Sequence, residues 1–152
     1  MPPYRYVPGV NPHPFRHDGG HMYTDGSAPS ETPWSPYADW REDSRFLFAA
    51  DLFDLRYMWE AHEAWEALWH FAEERSAERA LLQSLICCAA ASLKHHMGTP
   101  SAASKLLKRA QTVLHPWSAT GVIYGVVYEP VLTATANHLN GGPWPTLTME
   151  SP

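Results

Sequence analysis

Three tryptophans, three glutamates and two histidines occur within a single stretch, Tyr57-Met58-Trp59-Glu60-Ala61-His62-Glu63-Ala64-Trp65-Glu66-Ala67-Leu68-Trp69-His70. We interpret this stretch as one helix, in which successive side chains are turned by about 100° around the axis. One stripe of that helix carries an imidazole among large apolar side chains: Met58, His62, Trp65 and Trp69. The sequence therefore predicts an aromatic helix face with a histidine in its middle, around which the rest of the chain is organised.

The three glutamates of this helix are expected to have different surroundings. Glu66 lies at the edge of the aromatic stripe, one turn beyond His62, whereas Glu60 and Glu63 turn away from it and are expected to face solvent. Three interpretations of the His62 and Glu66 pair stay open: a surface pair, a buried structural network, and a metal or acid/base site. His70 lies about 12 Å along the axis from His62, too far for both to bind one ion.

A closed metal site would need ligands from other segments of the chain. The N-terminal arm contains His13, His17 and His21, and His13 lies between two prolines that stiffen the backbone. We expect His13 and His21 to join His62 and Glu66 around a divalent cation, zinc or a similar ion.

Other polar groups are secondary candidates. The third helix offers Gln83, Lys94, His95 and His96. We expect Trp65, Trp69 and Gln83 to form a supporting wall of the site. The motif is not that of the zinc proteases, H-E-x-x-H, because Glu66 stands where the second histidine is required.

Composition excludes several classes of protein. The 152 residues are 45% hydrophobic with a net charge of −5, which is typical of one soluble globular domain. The 11 basic residues are scattered except for Lys105-Leu106-Leu107-Lys108-Arg109, so no nucleic-acid partner is expected. No apolar run approaches the roughly 20 residues of a membrane helix, and the N-terminus lacks a signal peptide, so we expect no membrane partner. The adjacent Cys87 and Cys88 are expected to be reduced core side chains, which favours a cytoplasmic location.

The chain divides into an arm, a helical domain and a tail. Residues 1–43 contain eight of the fourteen prolines and many aromatic side chains, which predicts an extended arm packed on the body. Residues 44–140 form the helical domain, and residues 141–152 are expected to be coil. The predicted fold class is an all-α bundle of four to five helices, arranged as antiparallel helical hairpins.

Apolar periodicity places the helices within that domain. It predicts helices at about 44–54, 57–72, 77–97, 100–115 and 129–139. The stretch 121–128 is rich in β-branched and aromatic residues, which suggests a strand, but a lone strand in a helical protein has no evident partner. We therefore favour a loop or short turn there.

Several motifs resemble those of the bacterial and archaeal domain-of-unknown-function family 309, whose hallmark is H-x-x-x-E-x-x-[WY]. In this chain the motif is His62, Glu66 and Trp69. Asp51-Leu52-Phe53-Asp54 resembles the family's Leu-Phe-Asn turn. Leu82-Gln83-Ser84-Leu85-Ile86 resembles its Gln-Gly-Leu-Ile helix, with serine where the family often has glycine.

The arm is similar to one found in a proteobacterial-type branch of that family. The segments that carry this similarity are Tyr6-Val7-Pro8-Gly9, Pro12-His13-Pro14 and Gly20-His21. The resemblance implies a small all-α bundle whose biochemical role is not established, and a His/Glu/Trp motif that has been suggested to bind metal.

Two function hypotheses follow, together with a possible reaction. The first is a divalent-cation site on the His62 and Glu66 helix. The alternative is a non-enzymatic interaction module, in which His62, Glu66 and Trp69 form a buried polar network and a tryptophan-rich groove accepts a protein or peptide. Hydrolysis at the metal would require an open coordination position and a nearby base, neither of which the sequence identifies.

Overall fold

Five α-helices dominate the computed structural model, which describes residues 1–24 and 32–151. They are α1 (Ser44–Asp54), α2 (Met58–Trp69), α3 (Ala77–His96), α4 (Pro100–Leu114) and α5 (Tyr128–Leu139). One short 3₁₀ turn, Trp40–Glu42, precedes α1, and another, His115–Trp117, lies between α4 and α5. The predicted all-α fold is confirmed, and every predicted helix is present with its ends within one turn of the expected positions.

Helix α3 lies at the centre, where it packs against α2, α4 and α5. Its inner face is fully buried and includes Leu82, Leu85, Cys88 and Ala89. Large apolar side chains that are buried to this extent contribute about 1.5–3 kcal/mol each to folding. Burial raises the pKa of the Cys88 thiol to about 12, so this cysteine is an inert part of the core.

Asp43 connects three parts of the fold through one buried carboxylate. Its Oδ1 accepts the backbone N–H of Phe46 at 3.0 Å and so caps α1. Its Oδ2 accepts Nε1–H of Trp34 at 2.7 Å and the hydroxyl of Tyr124 at 2.8 Å. The end of the arm, the start of α1 and the loop before α5 are therefore held together at one residue.

A small hairpin replaces the loop that was favoured for residues 121–128. Strands β1 (Val122–Ile123) and β2 (Val126–Val127) pair with each other in antiparallel register, and Val126 also bridges to Met149 of the tail. Tyr124 and Gly125 make the turn with φ of 46° and 74°, the positive values that a tight hairpin turn needs. The expectation of a loop or short turn missed the strand pairing, because the stretch supplies its own strand partner.

The N-terminal arm packs on the helical body, as predicted, and it does so at the start of α2. Tyr6 is buried and meets the Trp59 indole edge-on, with ring centroids 5.0 Å apart, and Phe15 packs on the same indole at 5.7 Å. Residues 25–31 of the predicted arm, and residue 152 of the predicted tail, lie outside the described residues. Within the described ranges no helix is long and apolar enough to cross a membrane.

Candidate metal centre

Helix α2 brings one imidazole and two carboxylates together on its outer side. Nδ1 of His62 lies 3.3 Å from Oε1 of Glu63 and 4.0 Å from Oε2 of Glu66. One ligand atom from each of these residues falls within 4.8 Å of the other two. Over residues 1–24 and 32–151 no other trio of histidine, cysteine or acidic side chains is gathered closely enough to hold an ion.

The cluster is accessible to solvent. The side chains of His62, Glu63 and Glu66 are 27%, 33% and 40% exposed, so each can rotate and each can be reached by a hydrated ion. This exposure does not fit a buried polar network built on His62 and Glu66. The arrangement that remains is the i, i+4 pair of His62 and Glu66 that the sequence predicted, together with Glu63.

The spacing is close to what a bound ion requires. Two ligand atoms that each lie about 2 Å from one ion are roughly 3 Å apart. The contact between His62 and Glu63, at 3.3 Å, is already near that length, whereas Glu66, 4.0 Å from His62, has to come closer. One imidazole nitrogen and two carboxylate oxygens would leave further coordination positions to water, as in open zinc sites.

Glu60 contradicts the expectation that it faces solvent. Its side chain is only 3% exposed, and Oε1 accepts the backbone N–H of Tyr6 at 2.8 Å. Burial raises the pKa of the Glu60 carboxyl, and the hydrogen bond from Tyr6 opposes part of that shift. The helical wheel failed here because the arm covers the side of α2 that lies away from the aromatic stripe.

His21 lies beside Glu60 rather than in the His62 cluster. Its side chain is 4% exposed, its Nε2 is 3.8 Å from Oε1 of Glu60, and its ring meets Tyr4 edge-on. Burial lowers the pKa of the His21 imidazole. The structure thus joins an arm histidine to this helix, but at Glu60, two residues before His62.

The other arm histidines are also outside the cluster. The His13 ring packs against Tyr6 and Trp59, and its Nδ1 accepts backbone N–H groups from Phe15 and Arg16. His17 is exposed, and its Nδ1 lies 2.9 Å from Oδ1 of Asp18 and accepts the backbone N–H of Gly19.

The two predicted wall tryptophans are part of the packing between helices. Trp65 is fully buried against Phe53, with ring centroids 5.5 Å apart. The Arg79 guanidinium lies 4.1 Å from the centroid of the Trp69 ring and donates to the Trp69 carbonyl at 2.8 Å. Gln83 lies half-buried on α3. These tryptophans form no contiguous exposed patch, so the tryptophan-rich peptide groove of the alternative hypothesis is not observed.

A cleft of about 710 Å³ opens beside the cluster, between the arm, α1 and α2. Glu63 and Glu66 line its edge, and Glu60 and His21 line it from their buried positions. The sequence did not predict this cleft, because it depends on where the arm lies. Two features of the sequence pointed towards such a cleft: the three glutamates of α2 and the many aromatic side chains of the arm.

Residues 46–106 match the model of a family described as a domain of unknown function, DUF309. The match spans α1, α2 and α3 and the start of α4, and so includes His62, Glu63 and Glu66. Neither the curated proteins nor the solved structures contain a match to this chain.

Proposed function

We propose that this chain binds a divalent metal ion. It belongs over residues 46–106 to the DUF309 family, whose description names no activity, so the proposal is argued from the chain's own side chains. The ligands are His62, Glu63 and Glu66. The observation that carries the proposal is the convergence of these three side chains within 4.8 Å on the outer side of α2. The proposal keeps His62 and Glu66 as the sequence suggested and takes Glu63 in place of the arm histidines.

The ligand types indicate which ions fit. Imidazole with carboxylates suits zinc and similar first-row divalent ions, whereas magnesium and calcium prefer oxygen ligands throughout. Partial exposure of all three side chains supports an exchangeable ion that keeps some water ligands.

The proposal is one of binding without a reaction. Hydrolysis by a metal-bound water is commonly assisted by a further group that accepts its proton. Glu63 and Glu66 are both occupied as ligands, and Glu60 is hydrogen-bonded beneath the arm.

We place the protein in the cytoplasm, a proposal supported by the free, buried thiols of Cys87 and Cys88.

Isothermal titration calorimetry with zinc chloride tests the proposal on protein that carries no polyhistidine tag and has been stripped with chelator. We expect one zinc per chain, and at least about tenfold weaker binding in both His62→Ala and Glu66→Gln, since each removes one of three ligands. The control variants are His70→Ala and Glu73→Gln, which change exposed residues of the same types outside the cluster. Equal zinc affinity in all four variants, or no binding by the unaltered protein, would contradict the proposal.

A further inference from the structure

The cleft between the arm, α1 and α2 has the size of a small-molecule site. Its volume of about 710 Å³ lies within the range of roughly 300–1,000 Å³ that ligand pockets occupy. Two apolar side chains at this cleft, Phe48 and Met22, are 46% and 41% exposed. The described part of the chain therefore leaves apolar surface uncovered at this position.

The buried part of the cleft presents polar atoms that have no partner. Both ring nitrogens of His21 and Oε2 of Glu60 are inaccessible and make no hydrogen bond. The 3.8 Å between Nε2 of His21 and Oε1 of Glu60 is too long for a hydrogen bond. Buried polar groups are nearly always hydrogen-bonded, because an unpaired one costs about 1–3 kcal/mol. An imidazole and one carboxylate oxygen that lack partners at the wall of a cavity indicate a ligand that pairs with them once these side chains turn toward it.

The charge of the lining selects the chemistry of that ligand. Three carboxylates line the cleft, those of Glu60, Glu63 and Glu66, and its described lining includes no lysine or arginine. Much of the remaining lining is apolar, and its large side chains include Phe15, Met22, Phe48 and Phe71. Such a site attracts a positive head group with several N–H donors and a hydrocarbon or aromatic body.

We propose that this cleft binds a small organic amine, with its ammonium group at Glu60 and His21 and its apolar body against Phe48 and Met22. The inference does not rest on the metal site, because His21 and Glu60 lie outside the proposed set of metal ligands. In protein kept free of metal all three carboxylates of the cleft are available to the cation.

Three probes of matched shape test this assignment: 2-phenylethylamine, 2-phenylethanol and 3-phenylpropionate. Each is titrated into isotopically labelled protein in the presence of EDTA, and binding is followed by amide shifts in proton–nitrogen NMR spectra. We expect saturable binding of the amine, with shifts centred on His21, Glu60 and Ala64. The alcohol and the carboxylate should bind at least about tenfold more weakly, since neither forms the charge-assisted hydrogen bond to a carboxylate.

Two variants separate binding from folding. Glu60→Gln keeps the shape of the side chain and should weaken amine binding by about tenfold or more. Ala67→Trp fills the cleft from an exposed position on α2, leaves every charge in place, and should abolish binding without altering the shifts of the core. Glu73→Gln is the control and should bind as the unaltered protein does. The proposal is overturned by equal binding of the three probes, by unchanged amine binding in Glu60→Gln or Ala67→Trp, or by no saturable binding.

Discussion

The backbone N–H of Tyr6 donates a 2.8 Å hydrogen bond to Oε1 of Glu60, and this contact fastens the N-terminal arm to α2 across 54 residues of sequence. Both partners are buried, so the bond forms away from competing water. The arm is therefore part of the folded body, and its position depends on a carboxylate of the same helix that carries the candidate metal ligands.

Glu60→Ala should loosen the arm. The variant leaves the Tyr6 N–H without its partner, which costs about 1–3 kcal/mol in the free energy of unfolding. Urea denaturation measures that loss, and limited trypsin digestion should cut faster at Arg5 and Arg16 in the arm. Glu63→Ala, which removes a part-exposed carboxylate, is the control. If trypsin cleaves the arm at the same rate in both variants, Glu60 does not hold it.

Asp43→Ala should destabilise the whole bundle. The change removes the side-chain cap of α1 and leaves Nε1–H of Trp34 and the hydroxyl of Tyr124 without their carboxylate partner. Loss of a cap costs about 1 kcal/mol and each unpaired buried group about 1–3 kcal/mol, so we expect a loss of at least about 2 kcal/mol. Urea denaturation followed by tryptophan fluorescence checks this. Asp51→Ala, which changes an exposed aspartate of α1, is the control. If Asp43→Ala lowers the free energy of unfolding no more than this control does, Asp43 does not connect the three segments.

Gly125→Ala should be more costly than the same change at Gly121. Both glycines have a φ of +74°, which disfavours any residue with a Cβ. A Cβ at Gly125 would overlap the Trp40 indole, whereas a Cβ at Gly121 meets nothing within 4 Å. We expect about 1 kcal/mol of destabilisation at Gly121 and at least about 2 kcal/mol at Gly125, measured by thermal or urea unfolding. Equal losses would show that backbone conformation alone requires glycine here.

Stability should fall below neutral pH partly because of His138. Burial lowers the pKa of the His138 imidazole, the contact with the Gly142 carbonyl opposes this, and the nearby His95 and His96 lower it further. The unfolded chain therefore takes up a proton at this residue first, at about pH 6.5. The contribution of His138 to the free energy of unfolding is fully present above that pH. It declines as the pH falls towards the lowered pKa of the folded state, by at most about 1.4 kcal/mol per pH unit.

His138→Phe tests this dependence, because phenylalanine can keep the stacking on Trp144 but does not titrate. Urea denaturation at several pH values between 5 and 8 should show a shallower acid decline in this variant. Part of the decline should persist, because burial also lowers the pKa of His21. The exposed His115→Gln serves as control, and an unchanged slope in His138→Phe would rule out a contribution from His138.

The helices could be predicted from the sequence because their signals are local. The acidic cap at Asp43, the apolar spacing of α1 and the stop at Gly98 each depend on a few neighbouring residues. The hairpin was missed although its turn at Tyr124 and Gly125 is also local, because the strand partner was sought outside the stretch. Only its bridge to Met149 depends on a distant residue.

The candidate site was predicted only in part. Helical spacing placed His62 and Glu66 one turn apart, and their side chains lie 4.0 Å from each other, but it turned Glu63 away from them because adjacent residues are rotated by about 100°. The flexible glutamate side chain spans that angle and reaches His62 at 3.3 Å. Glu60 was misplaced for a different reason: the surroundings of one helix face depend on the arm, whose position no pattern in the helix indicates.

Anomalous X-ray diffraction at the zinc absorption edge tests the metal site most directly, with crystals of tag-free, chelator-stripped protein soaked in zinc chloride. We expect an anomalous peak about 2 Å from Nδ1 of His62 and from a carboxylate oxygen of both Glu63 and Glu66. A zinc-saturated crystal with no peak at these three residues, or with its strongest peak elsewhere in the chain, would contradict the proposed metal site.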